Sequence, residues 1–456
     1  MPADLDAIFK AYDIRGTTPD QLDAAVAEAV GAAFARFAAG QVGGARKVLV
    51  ARDMRPSGVE LAAAFTAGAQ AQGLDVVDLG LASTDLLYFA AGKLDAPGAM
   101  FTASHNPAQY NGLKLCLAGA RPVGQDTGLD DIKALAARHL AGDLPPADGV
   151  PGGRESLDLL REFAAHVKSF VDPQKLRPLK VVADTANGMG GLVVPAVFEG
   201  LPFDLEIMYG ELDGTFPNHP ADPIQEENLR DLQARVREVG ADVGLAFDGD
   251  ADRVFLVDDQ GEPVSGSATT AIVAVSVLQR HPGATILHNC ICSKAVPEVV
   301  REHGGTPVRT RVGHSFIKAV MADTGAAFGG EHSAHYYFRD NWRADSGAIA
   351  ALMVLEQLSV EGVPLSELRR PFDRYAASGE LNFKVDDPAA DIERVAAAYP
   401  PEAQDRLDGL TVDLGDWWFN LRPSNTEPLL RLNLEAPDRA SCARRVDEVK
   451  ALLVGD

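Results

Sequence analysis

Short apolar runs alternate with longer amphipathic stretches over most of the chain. Residues 47–51, 74–79 and 98–102 have the length and composition of buried strands. A helical pattern covers 59–72, and residues 113–117 return as a strand. Strands that alternate with helices predict α/β domains with helices packed on the faces of the sheets.

The same alternation begins again after a stretch with three Pro and four Gly between residues 141 and 154, which we take as a domain boundary. A second unit starts with the strand predicted at 179–184. A third follows, with strands predicted at 284–288 and 307–311 and another just before Gly329.

The last part of the chain has a different pattern. Strands are predicted at 381–385, 410–420 and 429–434, and a closing helix at about 439–454. Strands grouped before one helix indicate a smaller α+β domain. The predicted fold is therefore three successive mixed α/β domains and a C-terminal α+β domain, with the bounds 1–153, 154–258, 259–372 and 373–456.

Length and charge narrow the class of protein. A chain of 456 residues is too long to fold around one hydrophobic core, so several domains are expected. The formal net charge of −23 argues against nucleic acid and anionic membranes as general partners. The N-terminus carries charge early, and no run approaches the ~20 apolar residues of a membrane span, so we expect a cytoplasmic protein.

The four cysteines do not form the pattern of a disulfide framework. Cys290 and Cys292 alternate in a run that reads as a strand, with His288 nearby. Paired CxxC spacing, typical of a metal site, is absent, so buried thiols on a strand are favoured.

Three aspartates, Asp248, Asp250 and Asp252, alternate between two strongly apolar segments. In extended chain they would point to one side, where their mutual repulsion favours a hard divalent cation such as Mg²⁺. The alternative is an exposed turn. An apolar strand followed by Asp-x-Asp also begins phosphatases with an aspartyl nucleophile, which would here be Asp248, although Asp252 stands where they usually carry Thr or Val.

A serine follows another apolar segment, in Thr-Ala-Ser104-His-Asn-Pro. Loops after strands commonly carry function, and a Ser hydroxyl becomes a nucleophile when it is activated. An ordinary Ser/Asn turn explains the same residues. The G-x-S-x-G elbow of an α/β-hydrolase is absent.

Two further loops are rich in ligand groups. Residues 422–428 (RPSNTEP) combine a guanidinium, two hydroxyls and an amide, which suits a phosphate but also a capped turn. Residues 329–335 (GGEHSAH) offer a carboxylate, a hydroxyl and two imidazoles, and a solvated polar loop is the alternative.

In this order, these four loops resemble those of the α-D-phosphohexomutase superfamily. TASHNP looks like its phosphoserine loop, DGDADR its metal loop, GEHSAH its sugar loop and RPSNTEP its phosphate loop. YDIRG at 12–16 matches an N-terminal element. The chain is most similar to the bacterial phosphomannomutase/phosphoglucomutase branch, although many members have GEMSGH where His332 and Ala334 stand here.

The resemblance implies four domains around a central cleft, and a role for each matching residue. Ser104 would carry the phosphoryl group, and Mg²⁺ would be held by Ser104 and the three aspartates. The other implied residues are Arg15, Lys114, Arg253, His314 and His335 for catalysis, Glu331, Ser333 and His335 for the sugar, and Tyr12, Lys294, Arg422, Ser424, Asn425 and Thr426 for the substrate phosphate.

The implied reaction interconverts hexose 1-phosphate and hexose 6-phosphate through a hexose 1,6-bisphosphate that turns over in the site. Lys114 is the candidate base or proton carrier and His335 the second choice. A glutamate that holds O3 and O4 accepts both orientations of the sugar, which predicts activity on mannose and glucose. The alternatives are glucose as the main substrate, a sugar phosphatase, or a sensor, which would have lost Ser104 or a metal aspartate.

Overall fold

The computed structural model describes residues 4–41, 43–147, 149–423 and 429–453. The chain forms two compact units. The first unit comprises Met1–Val264 and His335–Ser366, and the second comprises Ser265–Ala334 and Glu367–Asp456. Neither unit is one continuous segment of the chain.

The α-helices are α1 Leu5–Ile8, α2 Ala24–Ala39, α3 Ser57–Ala71, α4 Thr84–Lys93, α5 Leu129–Leu140, α6 Leu160–Lys168, α7 Gly190–Phe198, α8 Arg230–Val239, α9 Gly266–Arg280, α10 Ala295–Glu302, α11 His314–Thr324, α12 Gly347–Glu361, α13 Leu365–Leu368, α14 Pro388–Ala396 and α15 Arg439–Leu453.

The strands are β1 Ile14–Thr17, β2 Lys47–Arg52, β3 Asp75–Leu81, β4 Gly98–Phe101, β5 Tyr110–Leu117, β6 Arg121–Pro122, β7 Arg154–Ser156, β8 Lys180–Asp184, β9 Asp204–Met208, β10 Val243–Phe247, β11 Val254–Asp258, β12 Pro263–Val264, β13 Thr285–Asn289, β14 Thr306–Thr310, β15 Phe328–Gly330, β16 Tyr336–Phe338, β17 Ala376–Lys384, β18 Gln404–Asp405, β19 Leu410–Asp413, β20 Trp418–Pro423 and β21 Leu429–Ala436.

The first sheet has the strand order β1-β5-β4-β2-β3-β7, and β6 pairs with β5. Strand β2 runs parallel to β3 and β4, whereas β5 is antiparallel to β1 and β4. The alanine-rich helix α2 packs on α3 and α5, and its buried residues share one core with those of the sheet. The chain leaves β4 at the edge where the candidate serine loop begins.

The second sheet, also in the first unit, has the order β12-β11-β10-β8-β9. Strands β8, β9 and β10 are parallel, and β10 and β11 form an antiparallel pair that is buried along its whole length. The loop that carries the three aspartates joins β10 to β11, so it leaves a rigid, fully buried hairpin.

The second unit holds two sheets. Strands β14 and β15 lie parallel on either side of β13, with the almost wholly buried helix α9 packed nearby. The C-terminal sheet is antiparallel, with the order β17-β21-β20-β19-β18, and its leucines share a core with α14 and α15. These observations confirm the predicted fold class of three mixed α/β domains and a smaller C-terminal α+β domain.

Two local predictions were wrong. The run at 410–420 forms two strands, β19 and β20, because a turn at Gly415 (φ +92°) reverses the chain between them. Cys290 and Cys292 are buried as expected, but β13 ends at Asn289, so both thiols lie in the turn after the strand.

Candidate active site

Ser104 lies in the loop after β4 in a strained backbone conformation. Its φ is +49°, which is uncommon for a residue with a side chain. Its backbone N–H donates to Thr102 Oγ1 (2.9 Å), and its hydroxyl donates to Asp248 Oδ2 at 2.8 Å. The loop therefore presents a buried hydroxyl directly to the aspartate loop of the second sheet.

Arg55 fixes the backbone of the Ser104 loop through hydrogen bonds. Its side chain is completely buried, and its guanidinium donates to the carbonyl oxygens of Ser104 (2.9 Å) and Asn106 (2.7 Å), as well as to those of Pro107 and Tyr110. Asp53 accepts from Arg55 Nε at 3.2 Å and neutralises it. One buried ion pair thus fixes the backbone around the candidate nucleophile.

Cationic groups surround the Ser104 hydroxyl. Arg253 Nη2 lies 3.3 Å from Ser104 Oγ, and both Nε and Nη2 of Arg253 donate to Asp248 Oδ2 (2.9 and 2.8 Å). Arg15 donates to Asn106 Oδ1 at 2.5 Å. Burial, with Arg253 and Arg15 nearby, holds the pKa of His105 well below its usual value, so its neutral Nδ1 accepts from Arg253 (2.7 Å).

The three aspartates converge as predicted, but not because the chain between them is extended. The loop is a turn rather than extended chain, with Ala251 N donating to Asp248 O and Ala251 at φ +59°. Ligand atoms of Asp248, Asp250 and Asp252 lie within 4.8 Å of one another, and all three side chains are buried. Three buried carboxylates this close fit a hard divalent cation.

Second partners orient two of these carboxylates. Lys114 Nζ donates to Oδ2 of Asp250 and of Asp252, each at 2.7 Å, and Thr84 Oγ1 donates to the same Asp250 oxygen at 2.6 Å. The Oδ1 atoms of Asp250 and Asp252 are buried and have no hydrogen-bond partner. Buried carboxylate oxygens left without a donor are what a metal site requires.

Burial and neighbouring charges shift the pKa values of Asp248, Asp250 and Lys114 in different directions. Burial raises the pKa of Asp248 well above its usual value. The charges of Asp250 and Asp252 raise it further, and Arg253 lowers it without cancelling these effects. Burial acts in the same direction on Asp250, but Lys114 and Thr84 outweigh it, and the pKa of Asp250 is lowered. Burial lowers the pKa of Lys114, yet Asp250 and Asp252 outweigh burial and hold it well above its usual value.

A second group of ligand atoms adjoins the first. Asp252, His335 and Asp345 also bring their ligand atoms within 4.8 Å of one another. His335 thus lies beside the aspartate loop in the first unit.

The serine and aspartate loops touch through a glycine. A Cβ built on Gly249 would lie 2.4 Å from the carbonyl oxygen of Ser104. Backbone approaches this close exclude any side chain, so glycine is required where the loops meet.

In the second unit, Glu331 follows β15 and is 2% exposed. Its Oε1 accepts from Asn289 Nδ2 (3.2 Å) and from the backbone N–H of Gly313 (3.0 Å). The carboxylate is therefore fixed by the ends of neighbouring segments. His332, the next residue, lies with its Nδ1 3.3 Å from Ser267 Oγ, and Ser333 is half-buried.

The C-terminal sheet places Arg422 at the end of β20, where its side chain is buried and its Nη2 donates to Glu380 Oε2 at 3.1 Å. The other predicted phosphate residues, Ser424, Asn425 and Thr426, lie outside the described residues. Lys294 precedes α10, and its ammonium donates to Asp413 Oδ1 (2.8 Å) and to the Gly415 carbonyl (2.7 Å).

The remaining predicted site residues are Tyr12 and His314. Tyr12 is half-buried just before β1 in the first unit. His314 is the first residue of α11, and its side chain lies outside the described part of the structure.

Sequence reasoning missed Arg55, Thr84 and Asn289. Arg55 and Asn289 follow or end apolar strands, and Thr84 begins a helix after β3, so each stands near the carboxyl edge of its sheet. Polar residues at that edge are a recognisable signal. Their partners lie far away along the chain, and only the fold reveals them.

The site combines a buried hydroxyl with a carboxylate cluster that suits a cation, and arginines surround the hydroxyl. These groups are typical of an enzyme that transfers phosphoryl groups. Four family models match the chain in order: phosphoglucomutase/phosphomannomutase α/β/α domain I over residues 6–141, domain II over 161–261 and domain III over 265–375, and the C-terminal domain over 380–452. The chain belongs to the phosphoglucomutase/phosphomannomutase family and is a phosphohexomutase, an isomerase of carbohydrate metabolism.

Individual relatives agree with the family match. A phosphomannomutase of Salmonella montevideo is 41% identical over 440 residues, 94% of each chain. A phosphohexose mutase of Xanthomonas campestris is 41% identical over 455 residues, which cover 98% of this chain and 99% of the relative. The crystal structure of a phosphoglucomutase/phosphomannomutase family protein from Burkholderia thailandensis is similar with a TM-score of 0.88 at 34% identity, covering 98% of this chain and 97% of that one.

Among the residues that the structure describes, no helix is both long enough and apolar enough to cross a bilayer.

Proposed function

We propose that the enzyme interconverts hexose 1-phosphates and hexose 6-phosphates of both mannose and glucose through a phosphoserine at Ser104. The observation that carries this proposal is the position of the Ser104 hydroxyl, 2.8 Å from Asp248 Oδ2 and 3.3 Å from Arg253 Nη2. Phospho-Ser104 gives its phosphoryl group to the free hydroxyl of a hexose monophosphate. The hexose 1,6-bisphosphate then turns over, and its other phosphate returns to Ser104.

The donor set of the first unit fits Mg²⁺. Asp248, Asp250 and Asp252, with an oxygen on Ser104, would hold the ion, whose charge would offset that of the transferring group. The buried Oδ1 atoms of Asp250 and Asp252 that lack a hydrogen bond support this assignment.

The remaining groups of the first unit have complementary roles. Arg253 and Arg15 offset negative charge around Ser104, because phosphoryl transfer depends on positioning and charge neutralisation. Lys114 is the candidate proton carrier for the hexose hydroxyl. Its ammonium donates to Asp250 and Asp252, so it would take the hydroxyl proton only after passing one of its own protons to these carboxylates. His335, beside Asp252, is the alternative.

Further residues supply the substrate contacts in this proposal. Glu331 would accept from O3 and O4 of the hexose, with Ser333 and His335 alongside. The substrate phosphate would bind Arg422, Ser424, Asn425 and Thr426, with Tyr12, Lys294 and His314 contributing further contacts. Lys294 would exchange Asp413 for the phosphate. The corresponding domains have the bounds 1–153, 154–258, 259–372 and 373–456, and the enzyme works in the cytoplasm.

Intact-mass measurement and peptide mapping after incubation with glucose 1,6-bisphosphate test the phosphoserine. We expect one added phosphoryl group on the peptide that contains Ser104, and none in Ser104→Ala. Phosphate found on Asp248 instead would identify a phosphatase mechanism and overturn the proposal. A coupled assay that compares mannose 1-phosphate with glucose 1-phosphate then tests the dual specificity, which activity on one sugar alone would contradict.

A further inference from the structure

The carboxylate of Asp408 joins the C-terminal sheet to the chain segments that hold Glu331. We propose that Asp408 is a positioning residue, through which the C-terminal sheet sets the carboxylate of Glu331 for the hydroxyls of the sugar. The inference rests on the proposed function, because it adds a residue that acts through the glutamate assigned to the hexose.

Glu331 is held by donors from two neighbouring segments. Its Oε1 accepts from Asn289 Nδ2 (3.2 Å), at the end of β13, and from the backbone N–H of Gly313 (3.0 Å), just before α11. Gly313 has φ +130°, a conformation that favours glycine, and it lies in a bend outside any helix or strand. The position of the carboxylate therefore depends on where these two segments are held.

Asp408 contacts the residue next to each of these donors. Its Oδ2 accepts from the backbone N–H of Val312 at 2.9 Å, and the thiol of Cys290 lies 3.9 Å from the same oxygen. Val312 precedes Gly313, and Cys290 follows Asn289. One carboxylate oxygen thus contacts both segments, one residue away from each group that holds the glutamate.

The protonation state of the thiol suits this arrangement. Burial raises the pKa of Cys290 to about 12, and the charge of Asp408 adds to the effect of burial. The sulfur therefore keeps its proton and donates a weak hydrogen bond to the carboxylate, whereas a thiolate would repel it.

Asp408 is itself fixed to the C-terminal sheet. Its carbonyl oxygen accepts from Asn420 Nδ2 at 2.8 Å, and Asn420 is completely buried in β20, two residues before Arg422. A Cβ built on the next residue, Gly409, would lie 2.4 Å from the carbonyl oxygen of Leu421, so the backbone beside Asp408 lies directly against β20. The carboxylate is therefore attached to the strand that presents Arg422.

These contacts connect the two ends proposed for the substrate. Arg422 would bind the phosphate and Glu331 the hydroxyls of the same hexose phosphate, so the spacing of the two side chains must match that molecule. From Asp408 to Glu331 the connection is two hydrogen bonds and the link between Val312 and Gly313. Such positioning matters, because a displacement of about 1 Å can cost about 10²-fold in rate.

Mutase kinetics of Asp408→Ala, alone and combined with Glu331→Ala, test the inference. Alone, Asp408→Ala should lower kcat/KM about 10- to 100-fold for glucose 1-phosphate and mannose 1-phosphate alike, because both sugars use the misplaced carboxylate. In the Glu331→Ala background the further loss should be less than about 2-fold, since a residue that acts through Glu331 has no effect once the carboxylate is gone.

Two conservative variants of Asp408 extend the test. Asp408→Asn keeps an acceptor for the N–H of Val312, so kcat/KM should stay within about 3-fold of the wild type. Asp408→Glu keeps the charge but displaces it by one methylene group. It should lose activity as Asp408→Ala does, and it replaces the alanine variant if that protein does not fold.

Two controls separate this role from packing and from the phosphate site. Asp405 pairs with Arg309 at 2.5 Å, so Asp405→Ala removes another carboxylate between the same parts of the chain without removing the contact to Val312. Its kcat/KM should stay close to that of the wild type. Inorganic phosphate, used as a competitive inhibitor, probes the phosphate site alone, and its inhibition constant should be the same in Asp408→Ala as in the wild type.

The outcomes are distinct. The inference would be overturned by independent losses in the double variant, by unchanged kcat/KM in Asp408→Ala and Asp408→Glu, or by an equal loss in Asp408→Asn or Asp405→Ala. Weaker inhibition by phosphate in Asp408→Ala would also overturn it, because Asp408 would then act through the phosphate site. Full activity in Glu331→Ala, or no isomerisation by the wild type, would instead refute the proposed function. A loss in Asp408→Ala that disappears in the Glu331→Ala background supports the positioning role.

Discussion

Single hydrogen bonds decide how the carboxylate cluster is arranged for a cation. Thr84 and Lys114 both occupy Oδ2 of Asp250, and they leave Oδ1 without a donor. A residue that orients a metal ligand in this way acts through the ligand, so its loss weakens metal binding without removing any ligand atom.

Thr84→Val should therefore raise the Kd for Mg²⁺ by about 10- to 100-fold, the range for loss of a partner that orients a ligand. The valine keeps the shape of the side chain but cannot donate to Asp250. Titration calorimetry with Mg²⁺ alone measures the effect directly. Thr84→Ser, which keeps the hydroxyl, is the control, and equal losses in both variants would contradict an orienting role.

Glu331 offers a second test at this scale. If its carboxylate accepts from O3 and O4, Glu331→Ala should lose about two to four decades of kcat/KM, from two charged hydrogen bonds of ~1.5–3 kcal/mol each. Glucose and mannose share O3 and O4, so the loss should be similar for both. Glu331→Gln, which keeps the contacts to Asn289 and Gly313, should be intermediate. A loss confined to one sugar would show that Glu331 reads C2.

At the scale of elements, one carboxylate links the starts of two helices in the first unit. Ser83 caps α4 and Ser346 caps α12, each accepting a helix N–H, and both hydroxyls donate to the fully buried Asp85, that of Ser346 at 2.6 Å. Thr84 follows Ser83. Asp345, which belongs to the same group of ligand atoms as Asp252, precedes Ser346. Asp85 thus ties the two caps together beside the aspartate loop.

This link predicts a pH dependence of stability. Burial raises the pKa of Asp85 from 3.8 to about 7, although the hydrogen bonds from Ser346 and Ser83 act to lower it. The folded protein therefore binds the proton more tightly than the unfolded chain, and the stabilisation is complete below pH 4 and lost as the pH rises through about 7. Between pH 5 and 8 the wild type should lose about 2–3 kcal/mol relative to Asp85→Asn, which stays neutral.

Urea denaturation of both proteins at pH 5, 6, 7 and 8 checks this expectation through the difference in their free energies of unfolding. Ser346→Ala, which removes one hydroxyl but leaves Asp85 titratable, should keep the slope. Parallel profiles for the wild type and Asp85→Asn would show that Asp85 does not titrate in this range.

At the scale of the whole molecule, the chain returns to its first unit after building part of the second. Residues 335–366 contribute α12, which packs on β11 and α6. Glu356 accepts from the backbone N–H of Asp172 at 2.8 Å, and Ser359 accepts from that of Arg177 at 3.2 Å. The first unit is therefore incomplete at residue 264.

A fragment that ends at residue 264 should consequently be insoluble or poorly folded, because the apolar face covered by α12 is left open to water. Co-expression with a peptide of residues 335–366 should increase the soluble yield several-fold by mass action. A peptide with Leu352→Asp, which places a charge at a fully buried position, is the control. Equal soluble yields with both peptides would contradict this account of the unit.

The sequence alone determined the local elements and the chemistry of the loops. Alternating apolar runs and helical stretches predicted the strands and helices, because the periodicity of burial is a local property of each segment. The four loops carried the residue types of phosphoryl transfer, and their order pointed to the family. Where a turn interrupts an apolar run, as at Gly415, or a strand stops early, as at Asn289, the same pattern misled.

The tertiary structure decided which of these groups meet. Ser104 touches Asp248 across 144 positions of the chain, and Thr84 reaches Asp250 across 166. No periodicity encodes such contacts, because they depend on how separate sheets pack and on which edge each loop leaves. The opposition of Arg422 and Arg431 likewise follows from strand register, which is fixed by burying the leucines between them and not by the arginines themselves.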